Sequence, residues 1–136
     1  MARSEERENL MKMIYQMNLQ NDFSGEAYEK FTELQVEINI TEYFSRVYES
    51  VRDNLSEIDD LINQYSVKWK TTRMPAVDLA VLRLAVAEMK YAKDIPVSVS
   101  INEAVNLAKK YSTENSSRFI NGVLGKAAKE IENVQA

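Results

Sequence analysis

The stretch NSSRFINGVL, residues 115–124, decides the fold. Asn-Gly between apolar residues signals a two-residue hairpin, because both residues accept positive φ at small cost. A hairpin needs alternating strands on either side, and the sequence shows none. Phe119, Ile120, Val123, Leu124 and Ala127 recur instead at helical spacings. A helix is therefore expected to run through Asn121 and Gly122. Glycine in mid-helix costs about 1 kcal/mol relative to alanine. Such a cost is tolerated where two helices cross too closely for a β-carbon, so a close crossing is expected at Gly122. Asn121 lies on another face from Phe119 and Val123 and is expected to cap or bridge a neighbouring loop.

The same period extends outward. The chain has 136 residues with only two prolines and three glycines, and its apolar residues recur mainly three and four apart. The expected class is all-α, with about seven helices and no linker or internal repeat, so residues 1–136 read as a single domain. A first helix covers about 3–20, with Leu10, Met13, Ile14 and Met17 as its apolar stripe. A second runs over 25–37, with Ala27, Tyr28, Phe31 and Leu34 on one face. Thr41 is expected to cap a third helix that buries Phe44, Val47, Tyr48 and Val51. Ser56 with Asp59 resembles a capping box opening a fourth.

Pro75 suits the first turn of a fifth helix, where its missing N–H costs nothing. That helix, AVDLAVLRLAVAEMKYA (76–92), is the most apolar segment and must be central. Ser100 and Glu103 form a second expected capping box, for the sixth helix. Arg83, inside the apolar fifth helix, needs a carboxylate partner, with Glu88 and Glu103 as candidates.

Composition restricts the chemistry. The chain contains no cysteine and no histidine. The usual nucleophile, the usual neutral-pH base and the best transition-metal ligands are all missing, which lowers the expectation of an enzyme. No carboxylate pair stands at a convincing catalytic spacing, and neither a cofactor nor a metal is expected. No run approaches the roughly 20 apolar residues of a membrane span, and the N-terminus has no signal-peptide core, so a cytoplasmic location is expected. The net charge of −4 argues against nucleic-acid binding through bulk charge but leaves room for a local basic surface.

Residues 77–131 resemble the NusB family of bacterial transcription antitermination factors throughout. The matching features, in order, begin with Asp78, the run Ala80-Val81-Leu82-Arg83-Leu84-Ala85, and Glu88. Ile95-Pro96-Val97 and Ile101-Asn102-Glu103-Ala104-Val105 follow. Ala108-Lys109-Lys110-Tyr111, a short polar loop and Phe119-Ile120-Asn121-Gly122-Val123-Leu124 complete the pattern. Toward the N-terminus, Ile14-Tyr15-Gln16 is similar to the family's Leu-Tyr-Gln.

The resemblance implies two small helical bundles packed together, and binding rather than catalysis. It implies boxA-type single-stranded RNA of ribosomal RNA leaders and the ribosomal protein NusE as partners. The RNA polymerase elongation complex would be an indirect partner, and no membrane is involved. Monomer and homodimer both occur in the family and stay open here. A second reading is a helical interaction module with this fold that has lost specific RNA binding.

The RNA positions carried over are Arg3, Arg7 and Tyr15 from the first helix, with Asn115, Ser116, Arg118 and Phe119 from the last. Arginines and aromatics suit single strands, whose bases stack and whose phosphates need donors. Asn115 and Ser116 would stand at a helix N-terminus, whose amides favour phosphate, or would simply cap it. Phe119 is either a stacking platform or a core residue. Glu5, Glu6 and Glu8 interleave the arginines and are expected to dilute their field. Ala76, Val77 and Asp78 are the partner-binding positions, Asp78 as an ion pair to a basic protein or as an acid favoured by the helix dipole. Lys68, Trp69, Lys70 and Arg73 form a basic aromatic cluster that is either an accessory surface or a loop packed over the bundle seam.

Overall fold

The computed structural model describes residues 3–35, 40–67 and 69–135. Seven α-helices and one short 3-10 turn make up the regular structure of those residues. They are α1 (Arg3–Gln20), α2 (Gly25–Leu34), α3 (Glu42–Asp53), α4 (Leu55–Tyr65), α5 (Ala76–Tyr91), α6 (Val97–Tyr111) and α7 (Glu114–Gln135).

The architecture follows from α5. Twelve consecutive residues, Asp78 to Met89, are buried. A helix apolar on every side can only sit at the centre, with other helices around it. α1, α3, α4, α6 and α7 all pack on it. α1 to α3 form one group, α4, α6 and α7 the other, and α5 is shared between them. Leu10, Met13, Ile14, Phe44, Ile58, Ile62, Leu82, Ile120 and Leu124 fill the space between the helices.

Several helix starts match the sequence reading. The Thr41 hydroxyl accepts from the Phe44 amide and caps α3. Ser24 does the same for α2 through the Ala27 amide. α7 runs unbroken through Asn121 and Gly122.

Other starts differ. α4 begins at Leu55, so Ser56 is already helical, and Asp59 bonds Arg83 instead of closing a box. α6 begins at Val97, directly after Pro96, whose φ of −59° already suits a helix. Ser100 therefore lies inside α6, where its hydroxyl donates to Glu88 across the seam with α5. Asp59 and Ser100, expected in capping boxes, thus serve tertiary hydrogen bonds.

Leu34, expected on the buried face of α2, is 68% exposed. Residues 36–37, the expected last turn of that helix, lie outside the described residues. The expected close crossing at Gly122 is absent. Gly122 is exposed, and a β-carbon there would meet nothing within 4 Å.

Candidate nucleic-acid interface

The first turns of α1 carry the arginines. Arg3 is exposed, with its guanidinium 3.9 Å over the ring of Tyr43 and its Nε donating to Glu6 at 3.1 Å. Arg7 points the other way. It is only 4% exposed and donates to both oxygens of Glu88, at 2.8 and 3.0 Å. Its third nitrogen lies 3.4 Å from Glu103. The Tyr43 and Ser100 hydroxyls complete the shell of Glu88. Burial opposes the charge of Arg7, but the Glu88 carboxylate outweighs it and holds the guanidinium above its ordinary pKa.

The donors of Arg7, carried over as an RNA position, thus face Glu88 and Glu103 inside the protein. Glu88 and Glu103, expected as partners of Arg83, belong to Arg7. Arg83 pairs with Asp59 at 2.7 and 2.9 Å and donates to Asn18 at 2.6 Å.

The glutamates of α1 are also engaged. Glu6 is buried and accepts from Thr41 and Arg3. Glu8 accepts from Tyr111 and from Lys110, the latter at 3.0 and 3.1 Å. The Tyr111 hydrogen bond leads in holding Glu8 below its ordinary pKa. Burial opposes it, and the Lys110 ammonium adds to it. Two of the three acids expected to dilute the arginine field are thus paired with internal or neighbouring donors, and Glu5 stays exposed. Tyr15 is half-buried against the core.

At the start of α7, the capping residue is Thr113. Its hydroxyl accepts from the Ser116 amide at 3.0 Å and its carbonyl from the Ser117 amide. Ser116 was carried over as part of a helix N-terminus whose amides favour phosphate. It is buried, and its hydroxyl donates to Asp78 at 2.8 Å. Ser112 donates to the other oxygen of Asp78 at 2.7 Å. Asp78, carried over as a partner position or as an acid favoured by the helix dipole, is 0% exposed. Its carboxylate clamps the α6–α7 connection onto the first turn of α5. Ala76 and Val77, beside it, are half-buried, and the Ala76 carbonyl accepts from Asn18 at 3.1 Å.

Asn115 and Arg118 are exposed on α7. Phe119 is half-buried, and Trp69 meets it edge-on, with ring centroids 5.2 Å apart and planes at 68°. The basic aromatic cluster thus reaches the α7 surface through Trp69, while Lys68 lies outside the described residues. Arg118 stands on a ridge. On one side, α6 and α7 enclose a groove of about 490 Å³ lined by Asn102, Lys109, Ser117 and Asn121 among others. On the other side is a cleft of about 230 Å³ toward Val67. Lys109 and Asn102 belong to the motifs quoted above. Asn121, expected to bridge a loop, lines the groove wall.

This surface can bind a single strand. It offers aromatic edges, exposed cationic side chains and amide groups along one helix. Its clamp residues Asp78, Ser112 and Ser116 hold that helix in place from below.

The NusB family model matches residues 4–129. The chain belongs to the NusB family. It is 47% identical over 130 residues to the transcription antitermination protein NusB of Acetivibrio thermocellus, covering 95% of this chain and 90% of that one. To the NusB protein of Alkaliphilus oremlandii it is 44% identical over 127 residues, covering 93% and 92%. Among solved structures, T. maritima NusB superposes with a TM-score of 0.85 at 38% identity, covering 96% of this chain and 92% of that one. A NusB chain from a complex of the antitermination factors NusB and NusE with double-stranded RNA superposes with a TM-score of 0.81 at 27% identity, covering 96% and 99%. The NusB fold is therefore present over nearly the whole chain.

Proposed function

We propose that this chain is a transcription antitermination factor. It binds boxA-type single-stranded RNA of ribosomal RNA leaders together with the ribosomal protein NusE, and so makes RNA polymerase resistant to termination. The observation that carries this reading is end-to-end similarity to NusB proteins, including one solved with NusE and RNA. Residues 1–136 act as one unit, in the cytoplasm, by binding and without catalysis.

Arg3, Asn115, Arg118 and Phe119 are the RNA-facing groups, with Tyr15 at the rim. Arg7, Ser116 and Asp78 position the helices that carry them. Ala76 and Val77, at the start of α5, are the partner-binding positions.

The burial of Arg7 favours a second reading, an interaction module without specific RNA binding. One titration separates the two. Labelled boxA-type RNA of about a dozen nucleotides is titrated with the chain, alone and with equimolar NusE, against a scrambled RNA. Phosphate contacts give an affinity that falls with salt at a slope of about −0.7 per contact. Tighter, sequence-dependent binding with NusE supports the first reading. Equal weak binding to both RNAs, with NusE still bound, supports the second.

A further inference from the structure

α2 buries little of what its sequence offers. Ala27, Phe31 and Leu34 share one face at helical spacing. Of the residues of α2 only Phe31 is buried, and Leu34 stays exposed. α2 rests on α1, and on α3 through Tyr28, which stacks on Tyr48 at 4.3 Å. Between α1 and α2 runs a groove of about 260 Å³. The buried Met13, Met17 and Phe31 form its floor, Gln16 and Gln20 line it from α1, and Leu34 stands at one end.

The groove is separate from the surfaces described above. It shares no lining residue with either cleft beside Arg118. On α1 it takes Gln16 and Gln20, whereas Asn18 turns to the Ala76 carbonyl at the start of α5.

The chemistry of its walls selects the occupant. The groove lies below the roughly 300–1,000 Å³ of small-molecule pockets, and it suits a few apolar side chains of a partner. Methionine adapts its shape to such side chains. An amphipathic helix lays an apolar ridge into a groove of this kind. Asp22 and Glu26 stand at the end away from Leu34, and the exposed Glu29 and Glu33 continue the acidic surface along α2. Lys30 is the one base on the walls. None of these four carboxylates makes an ion pair among the described residues. Acids so placed repel RNA phosphates, an anionic membrane and a second copy of this chain, whose net charge is −4. They favour lysine or arginine on the partner.

We propose that the α1–α2 groove docks a basic amphipathic helix of another protein in the antitermination complex. Its apolar side chains lie over Met13, Met17 and Leu34, and its bases face Asp22 and Glu26. This rests on the function proposed above and adds to it a contact beyond RNA and NusE. So small an interface is weak by itself and acts within an assembly that holds both partners at high effective concentration.

The test uses Leu34→Lys, which removes an apolar anchor and adds a repelling charge, and Glu26→Lys, which reverses one acid. Both side chains are exposed, so the fold should hold. The first readout is terminator readthrough by RNA polymerase on a boxA-type template with NusE, beside RNA affinity, NusE binding and thermal unfolding. The second is anisotropy of a labelled helical peptide of leucine and lysine, against a leucine–glutamate counterpart. Readthrough should fall about fivefold or more for Leu34→Lys and less for Glu26→Lys, while Leu34→Met keeps it. RNA affinity, NusE binding and thermal stability should stay at the parent level. The leucine–lysine peptide should bind the parent chain and lose about tenfold in affinity for Leu34→Lys.

Parent-level readthrough in both charge variants overturns the inference and leaves the proposed function standing. Loss of RNA or NusE binding in those variants overturns it as well, because the groove then belongs to those surfaces. Tighter binding of the acidic peptide, or a parent dimer that Leu34→Lys makes monomeric, names another occupant and also overturns it. A parent chain without readthrough removes the proposed function and the inference together.

Discussion

Arg7 on α1 and Glu88 on α5, 81 residues apart in sequence, meet through two parallel hydrogen bonds of 2.8 and 3.0 Å inside the protein. Such a fork is the strongest geometry an arginine and a carboxylate can make. Its value to stability depends on keeping both partners. Removing one member of a buried pair costs about 3–5 kcal/mol, because the other charge is left uncompensated. Glu88→Ala and Arg7→Ala should each lower the unfolding free energy, measured by urea titration, by an amount in that range. The double variant Arg7→Met with Glu88→Leu should recover most of the loss. Equal destabilisation by the double variant would mean that the pair does not act as a unit.

Asp78 ties the start of α5 to Ser112 and Ser116. Hydrogen bonds to a charged group contribute about 1.5–3 kcal/mol each. Asp78→Ala should therefore destabilise the fold measurably, and Asp78→Asn by less, since the amide oxygen still accepts from one hydroxyl. Because Ser116 sits in the first turn of α7, RNA affinity should fall in parallel in an anisotropy titration, with its salt slope unchanged. A changed slope would place Asp78 nearer the phosphates than its burial allows.

Tyr43 governs behaviour in alkali. Burial chiefly, then the Glu88 carboxylate, pushes its phenol well above the ordinary value of 10.0. A raised native pKa gives stability that is fully present below the unfolded value and is lost as pH rises above it. Above pH 10, the contribution of this group should fall by about 1.4 kcal/mol per pH unit. Tyr43→Phe should flatten the alkaline decline of the urea midpoint by up to that slope. Tyr91, pushed up to about 12 by burial and by Glu57, should add a smaller decline of the same sign.

Glu8 sets the opposite limit. Its pKa lies below the ordinary value of 4.5. A lowered native pKa gives stability that is present above the unfolded value and is lost as pH falls through the native one. Tyr111→Phe should move the Glu8 titration, followed by side-chain carbon NMR, back toward 4.5, its ordinary value. The acid unfolding midpoint should rise with it.

The helices were legible because their signals are local. The period of α7 overrode the hairpin signal of Asn121 and Gly122, and the uniformly apolar α5 announced its own central position. Charge pairing was not legible, because it depends on which faces meet across helices. Arg83 could be recognised as needing an acid. That the acid is Asp59 on α4, while Glu88 and Glu103 go to Arg7, depends on how α1, α4 and α6 pack around α5. Asp59 and Ser100 show the same limit, since a capping-box pattern reads alike whether its side chains turn to their own helix or to a neighbour. On the candidate interface, Asn115 and Arg118, named from the motif, are both exposed. Arg7, Ser116 and Asp78 are buried, and burial depends on how helices pack, which the motif does not describe. Thr113 could have been found, because it stands three residues before the Ser116 amide that it caps.

The sharing of α5 between the two helix groups also bears on synthesis at the ribosome. Chains emerge N-terminus first at about 5–20 residues per second, so α1 to α3 are complete about 2–8 s before the last turn of α5 follows Asp53 into existence. During that interval Leu10, Ile14, Phe44 and Val47 have no central helix to bury against. The α1 to α3 group cannot close before α5 arrives, and the second group waits further for α6 and α7.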